Sequence, residues 1–152
     1  EAGYLFGGAA WQIEPYLQYA NVRVETDAFT ETGGVAALHA GSGESKLDLA
    51  TGGLRFSLNL KGAQQEQTWL SLRGGLAYRQ ANGDVTPASA MNFAGSGVFT
   101  VQGAPLAKKA TLGELGIAAR LSERTLLELG YTGQFADEGN DHGANARISV
   151  RF

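Results

Sequence analysis

The chain has 152 residues, of which 22 are glycine, three are proline and none is cysteine. The absence of cysteine excludes a disulfide scaffold and any thiolate site, and a net charge of −3 argues against a nucleic-acid partner. Charged residues make up only 18% of the chain, below the roughly 25% of typical soluble domains, yet no apolar run is long enough for a membrane-spanning helix.

Apolar and polar residues alternate with a period of two along most of the chain, which is typical of β-strands. In the first clear example the odd positions from Trp11 to Tyr19 are mainly apolar, and in the last the even positions from Ala144 to Phe152 are apolar. The pattern predicts seven strands, at residues 1–9, 11–28, 45–60, 66–81, 107–121, 124–136 and 143–152.

The connections between these predicted strands alternate in length. Three are short turns, at Gly8–Ala10, Lys61–Gln65 and Ser122–Glu123. Two are long loops rich in small residues, Thr30–Glu44 and Asn82–Leu106, and the last, Asp137–His142, is polar and of medium length. Consecutive strands joined in this way predict an antiparallel up-and-down meander. Short turns on one side and long loops on the other are typical of outer-membrane β-barrels.

Alternation alone does not tell which face of a sheet meets water, because a soluble barrel points its apolar face inward and a membrane barrel points it towards lipid. Strands of about ten residues or longer favour the membrane. So do charges of both signs on the polar positions, although a soluble sandwich also carries these on its solvent face. A girdle of aromatic residues near the strand ends is predicted at Tyr4, Phe6, Trp11, Tyr16, Tyr19, Trp69, Tyr78, Phe135 and Phe152.

One stretch breaks the alternation. Leu47 and Leu49 are out of phase with Leu54 and Phe56 in the same predicted strand. Either Gly52-Gly53 hosts a β-bulge, which shifts the pattern by one residue, or the two leucines lie beyond the lipid, where facing matters less.

Several segments resemble the β-domains of autotransporters. Trp11–Tyr19 is similar to a strand of that family with the pattern W-x-φ-E-P-x-x-Q-φ-x-Y, in which φ is apolar. Gly130–Phe135 resembles the penultimate strand, G-Y-x-G-Q-F, and Asn145–Phe152 resembles the last strand, which alternates and ends on phenylalanine. Phe99–Pro105, before the fifth predicted strand, is similar as well. The order of these segments covers essentially the whole chain.

The resemblance implies the translocator of type V secretion, a twelve-stranded transmembrane β-barrel in the outer membrane of a Gram-negative bacterium. It also implies an N-terminal passenger exported to the cell surface and a helical linker inside the pore. Seven strands would leave unpaired edges, which lipid does not satisfy. We therefore expect residues 1–152 to be a single domain, the C-terminal part of such a barrel, cut from a longer chain that supplies the passenger, the linker helix and the remaining strands.

The resemblance also implies two sets of partners besides the passenger, namely outer-membrane lipid and the barrel-assembly machinery. Phe152, with Val150 and Ile148, resembles the C-terminal signal that this machinery reads. The physical basis is a strand edge that pairs by β-augmentation. The alternative is an ordinary lipid-facing strand end.

Charged residues on the polar positions of the strands are expected to line the lumen of the barrel. They are Glu14, Arg55, Arg73, Arg79, Glu114, Arg120, Glu128, Arg147 and Arg151. Neighbouring strands should bring opposite charges together, with Glu128 near Arg147 and near Glu114 or Arg120. Small residues on the same side either leave room for a backbone in the pore or permit strand curvature. They are Gly75, Ala77, Gly116, Ala118 and Gly130.

No catalytic, cofactor or metal site is predicted. His39 and His142 are far apart in sequence, and the Gly-Ser-Gly segments lack the G-x-S-x-G spacing of a nucleophile elbow. Two other classes stay open: another outer-membrane barrel (a porin or a barrel enzyme) and a soluble all-β binding module. An enzyme should cluster acid, base or nucleophile near the outer rim, where the candidates are scattered: Asp27, Glu31, His39, Asp84, Asp137, Asp141 and His142.

Overall fold

A computed structural model describes residues 1–34, 36–61 and 68–152. Within that part of the chain, no helix has the length and apolar character needed to cross a membrane. The strands are β1 (Ala2–Gly3), β2 (Phe6–Gly7), β3 (Trp11–Thr26), β4 (Phe29–Thr30), β5 (Leu38–Ala40), β6 (Gly43–Lys61), β7 (Thr68–Gly83), β8 (Ala88–Phe93), β9 (Phe99–Gln102), β10 (Lys109–Arg120), β11 (Thr125–Ala136) and β12 (Gly139–Val150).

The strands with strong alternation form where the sequence predicts them, as β3, β6, β7, β10, β11 and β12. The predicted strand at residues 1–9 is instead two short strands, β1 and β2, and Gly7 between β2 and the next turn has a φ of 112°, which favours glycine. The predicted loop at Asp137–His142 is wrong, because β12 begins at Gly139. Most of the predicted turn at Lys61–Gln65 lies outside the described residues.

The chain divides into two compact units. The first unit comprises Glu1–Tyr19, Ala50–Gln80 and Lys109–Phe152. It contains the main sheet, whose neighbours follow in the order β1-β3-β6-β7-β10-β11-β12, with β2 also paired to β3. This confirms the all-β, antiparallel meander. Among the described residues the sheet is not closed, since β12 pairs only with β11.

The register divides the first unit into two faces. One row across β7, β10, β11 and β12 reads Leu72, Ile117, Leu129 and Ala146, and the adjacent row reads Ser71, Ala118, Glu128 and Arg147. Residues directly opposite one another share a face, so all apolar rows lie on one side and all charged rows on the other. We call these sides the apolar face and the polar face.

The apolar face is the exposed one. On β6, Leu54 and Phe56 are 53% and 41% exposed, whereas Arg55 and Ser57 beside them are half-buried. No large side chain among the described residues is fully buried, and the buried hydrophobic residues are all alanines. A water-soluble domain would instead bury its leucine, isoleucine and phenylalanine side chains.

The second unit comprises Ala20–Leu49 and Ala81–Lys108. It contains a four-stranded antiparallel sheet in the order β4-β5-β8-β9. The sequence predicts long loops over Thr30–Glu44 and Asn82–Leu106, which is wrong for β5, β8 and β9. These strands have three to six residues, and β5 finds its partner β8 in the other segment, so local alternation does not reveal them.

Burial in the second unit follows the opposite rule. Val22, Val24 and Leu47 line a cavity of about 630 Å³, while Arg23 and Lys46 carry exposed ion pairs. Apolar residues therefore occupy even positions of β3 and odd positions of β6, the reverse of the first unit. Because both strands change phase together, a bulge in β6 alone does not account for Leu47 and Leu49. The change fits strands that pass from one surrounding medium to another.

Candidate functional site

The polar face of the first unit gathers the predicted charged residues. Glu114 lies opposite Thr132, and Glu128 lies opposite both Ala118 and Arg147. Strand parity places Arg73, Arg79, Arg120 and Arg147 on the same side. Arg151 follows directly after β12. The proposal that these residues line a lumen stays a prediction, but their common face is a property of the structure.

An ion cluster lies at the β1 side of this face. The guanidinium of Arg55 donates two hydrogen bonds to the carboxylate of Glu1, at 2.7 and 3.0 Å, and lies 3.8 Å from Glu14. The same guanidinium lies 3.7 Å from the ring centroid of Tyr16, a cation–π contact. Tyr16 therefore belongs to the polar face and not to the predicted aromatic girdle. Sequence analysis also missed Glu1, which has no alternation to mark it.

A second ion pair spans a whole strand. Arg73 on β7 reaches Glu128 on β11 at 3.8 Å, across the intervening β10. It does so by lying over Gly116, where an added Cβ would be 3.0 Å from the Arg73 Nε. Glu128 thus pairs with Arg73, a contact that the sequence did not predict, and also faces Arg147 in register, as predicted.

The other glycines of the polar face serve the same purpose. An added Cβ at Gly75 would lie 2.9 Å from Oε1 of Glu114, and one at Gly130 would lie 2.8 Å from Oδ1 of Asn145. The space that these glycines leave is occupied by a polar side chain of the neighbouring strand. The charged groups consequently lie flat on the sheet, which leaves the volume in front of it free.

Two cavities lie along the polar face. One of about 660 Å³ is lined by Arg73, Glu128 and Arg147, and one of about 380 Å³ by Tyr16, Arg55 and Asp141; Glu114 lines both. Arg79 donates a 2.8 Å hydrogen bond to Gln134, while its Nε is buried without a partner. The arrangement suits water and charged polypeptide groups. In the part of the chain that is described, no three His, Cys, Asp or Glu side chains are grouped to hold a metal ion.

The two histidines lie in separate units. His142 is not in a loop but on β12, where its Nδ1 lies 2.8 Å from the hydroxyl of Tyr131 and its ring packs edge-on against Phe135. His39 hydrogen-bonds with Thr30 in the second unit. Asp141 alternates with His142 and so points to the opposite face. The sequence gave no signal for the His142 contact because residues 139–143 contain no apolar residue.

The C-terminal strand presents its predicted recognition residues openly. Ile148 lies opposite Leu127 and Val150 opposite Thr125, both on the apolar face, and Phe152 follows the strand fully exposed. Among the described residues, the second edge of β12 has no partner strand. An edge of this kind is able to accept a further strand by β-augmentation.

Comparison with known proteins adds one family and two relatives. The family model described as "Autotransporter beta-domain" matches residues 1–132. Two curated proteins of Serratia marcescens, both described as "Extracellular serine protease", are each 26% identical to the chain over 153 residues. The alignments cover 100% of this chain but 14% of each relative. The chain therefore spans about one seventh of the length of the curated relatives that it matches.

Proposed function

Because the chain belongs to the autotransporter β-domain family, we propose that it forms part of an outer-membrane translocator that anchors and exports an attached passenger. In this proposal the apolar face contacts lipid and the polar face borders a hydrated pore. The localisation is the outer membrane of a Gram-negative bacterium.

The observation that carries this proposal is the inverted burial of the first unit. Leucine, isoleucine and aromatic side chains cover its exposed face, and charged side chains lie half-buried on the other. Removing one such apolar side chain from water contributes about 1.5–3 kcal/mol. A lipid environment supplies that contribution without any protein core, which the described residues lack.

The incomplete pairing of the sheet supports the proposal that further strands belong to the same barrel. In hydrocarbon, each unpaired backbone group costs several kcal/mol, so an open strand edge is not stable there. The relatives are about seven times as long as this chain. We place the missing strands, the linker helix and the passenger in the rest of the protein, and the family resemblance implies twelve strands in total.

The polar face supplies the proposed transport pathway. Its charges retain water, and the glycines beneath Arg73, Glu114 and Asn145 keep these side chains flat against the wall. We assign no catalytic residue to this chain. The relatives are described as extracellular serine proteases, so we propose that the passenger attached to this β-domain is an extracellular enzyme of that class.

Assembly is proposed to use the free edge of β12 together with Ile148, Val150 and Phe152. The barrel-assembly machinery would pair with this edge through backbone hydrogen bonds, and the alternate apolar side chains would give specificity. The other side of β12 is already paired with β11 over its full length, so the free edge is the one available.

Expression of the full-length protein in a Gram-negative host tests the proposal. We expect the β-domain in the outer-membrane fraction, with a gel mobility that changes on boiling, and the passenger accessible to protease on intact cells. Recovery in the aqueous phase without detergent would show a soluble binding module instead. A heat-modifiable barrel with no passenger at the surface would favour a porin or a barrel enzyme.

A further inference from the structure

The charges of the polar face are separated along the direction of the strands. We call the end with the Ser122–Glu123 turn and Phe152 the basal end, and the opposite end the distal end. Arg120 and Arg147 lie towards the basal end, one row apart, since Ala118, Glu128 and Arg147 form one row. Arg151 lies beyond them. Glu114 and Asp141 lie towards the distal end.

The basal end has an excess of positive charge. Its single carboxylate on the described strands, Glu128, is shared between Arg73 at 3.8 Å and Arg147 in the facing register position. Arg120 and Arg151 have no ion pair within the described residues. Three guanidinium groups therefore remain without a carboxylate of their own.

The distal end has an excess of negative charge. Glu1 and Glu14 share one arginine, Arg55. Glu114 and Asp141 have no ion pair among the described residues, although each lines a cavity on this face. Arg79 is the other cation at this end, and its described hydrogen bond goes to the neutral Gln134.

The two ends are electrically distinct. Six residues of β10 separate Glu114 from Arg120, which is about 20 Å at the rise of an extended strand. The Debye length at physiological ionic strength is about 8 Å, so neither end neutralises the other. Charges that face a confined space need partners to offset their lost hydration. The missing partners must come from whatever occupies the space in front of the face.

We infer that the polar face binds a polypeptide segment of the full-length protein that presents carboxylates at the basal end and amino or guanidinium groups at the distal end. This inference rests on the proposed function, because it takes the polar face as the wall of an occupied pore. Arg120 and Arg147 bind carboxylates of the segment through paired N–H donors, and Glu114 and Asp141 bind its cationic side chains.

Zero-length crosslinking of the full-length protein in outer membranes tests this polarity. A carbodiimide joins a carboxylate to an amine as an amide, with loss of one water. The variant Arg147→Lys keeps the basal charge and adds a reactive amine. We expect it to crosslink to an Asp or Glu outside residues 1–152, and we expect Glu114 to crosslink to a lysine there. Mass spectrometry of the joined peptides identifies both.

Two matched variants provide the controls. Thr132→Lys places an amine at the distal end beside Glu114, and it should capture acidic residues outside 1–152 at least about tenfold less than Arg147→Lys does, because charge-assisted pairs need the complementary partner. Arg23→Lys, in the exposed ion pairs of the second unit, should capture none. Equal or reversed yields at positions 132 and 147, or basal crosslinks confined to Glu128, would overturn the inference.

Passenger exposure on the same cells separates the two levels of the argument. A delivered passenger with reversed or absent polarity refutes only the inference about the segment. An undelivered passenger in the unsubstituted protein refutes the proposed function as well.

Discussion

The two units share the strands β3, β6 and β7 but expose opposite sets of residues. In the first unit, Leu54 and Phe56 of β6 are exposed and Arg55 between them is half-buried. In the second unit, Lys46 of β6 is exposed in an ion pair and Leu47 lines a cavity. Alternation thus specifies a strand in both units, while the medium around each face decides which residues are exposed.

The position of the change is itself informative. Tyr19 and Ala50 end the portions of β3 and β6 that belong to the first unit. Directly beyond them, the Asn21 side chain donates a 2.7 Å hydrogen bond to Asp48, and Arg23 pairs with Glu25 and Glu44. Polar ladders of this kind require water, so the change of phase marks where we propose that the apolar band in lipid ends.

Adjacent substitutions on β10 offer the most severe test of this contrast. Ile117→Lys puts a charge on the apolar face, and Ala118→Lys puts the same charge on the polar face. A lysine facing the middle of a bilayer costs about 2–4 kcal/mol. We expect Ile117→Lys to lose most of the heat-modifiable form in outer membranes and Ala118→Lys to keep it. Equal tolerance of both would show that the apolar face does not meet lipid.

The second unit should obey the opposite rule. Leu47→Lys places a charge in the cavity shared with Val22 and Val24, and the loss of apolar contact there is worth about 1–2 kcal/mol for a half-buried leucine. We expect faster cleavage within residues 20–49 and 81–108 by added protease on intact cells. Insertion of the barrel, read from gel mobility, should be unchanged.

The neighbouring Lys46→Leu is the control for that experiment. It removes an exposed charge without entering the cavity, so cleavage should stay near that of the unsubstituted protein. If Lys46→Leu accelerates cleavage as strongly as Leu47→Lys, the assignment of inner and outer positions in the second unit is wrong.

A smaller effect separates two glycines of β10. Gly113 has open space around an added Cβ, whereas at Gly116 the Cβ would press on Arg73. We expect Gly116→Ala to displace Arg73 from Glu128 at a cost of about 0.5–1.5 kcal/mol, the range of an off-rotamer side chain. Gly113→Ala should be neutral. The midpoint of the heat-induced mobility change measures both.

A double substitution identifies the cause of the Gly116 effect. In an Arg73→Ser background no long side chain crosses the glycine, so adding Gly116→Ala should cost nothing further. An undiminished cost in that background would assign Gly116 to strand curvature, the alternative that the sequence left open.

Sequence analysis succeeded where one property repeats along a single segment. β10 and β11 alternate over their whole length, so their positions and faces were predicted from composition alone. It failed for β5 and β8, whose partners lie about fifty residues apart, and for the start of β12, where residues 139–143 have no apolar side chain. The common face of the charged residues follows from parity, whereas the reach of Arg73 across β10 depends on register and could not be predicted.

The smallest expected effect concerns the exposed ion pairs of the second unit. The hydrogen bond from Lys46 to Glu44, 2.7 Å long, raises the pKa of Lys46. A raised pKa means that the pair stabilises the folded unit below the ordinary lysine pKa and that this contribution disappears as the pH rises through the folded value. Protease resistance of Lys46→Gln should therefore fall slightly below that of the unsubstituted protein at neutral pH and equal it at strongly alkaline pH.

Arg23→Gln is the matched control, because a guanidinium stays charged throughout that range. Its small deficit should persist at alkaline pH, where the deficit of Lys46→Gln has gone. Exposed pairs of this kind contribute little in water, and their modest effect is what the comparison requires. Deficits as large as that of Ile117→Lys would mean that the second unit also depends on a non-aqueous environment, and the boundary at Tyr19 and Ala50 would then have to be moved.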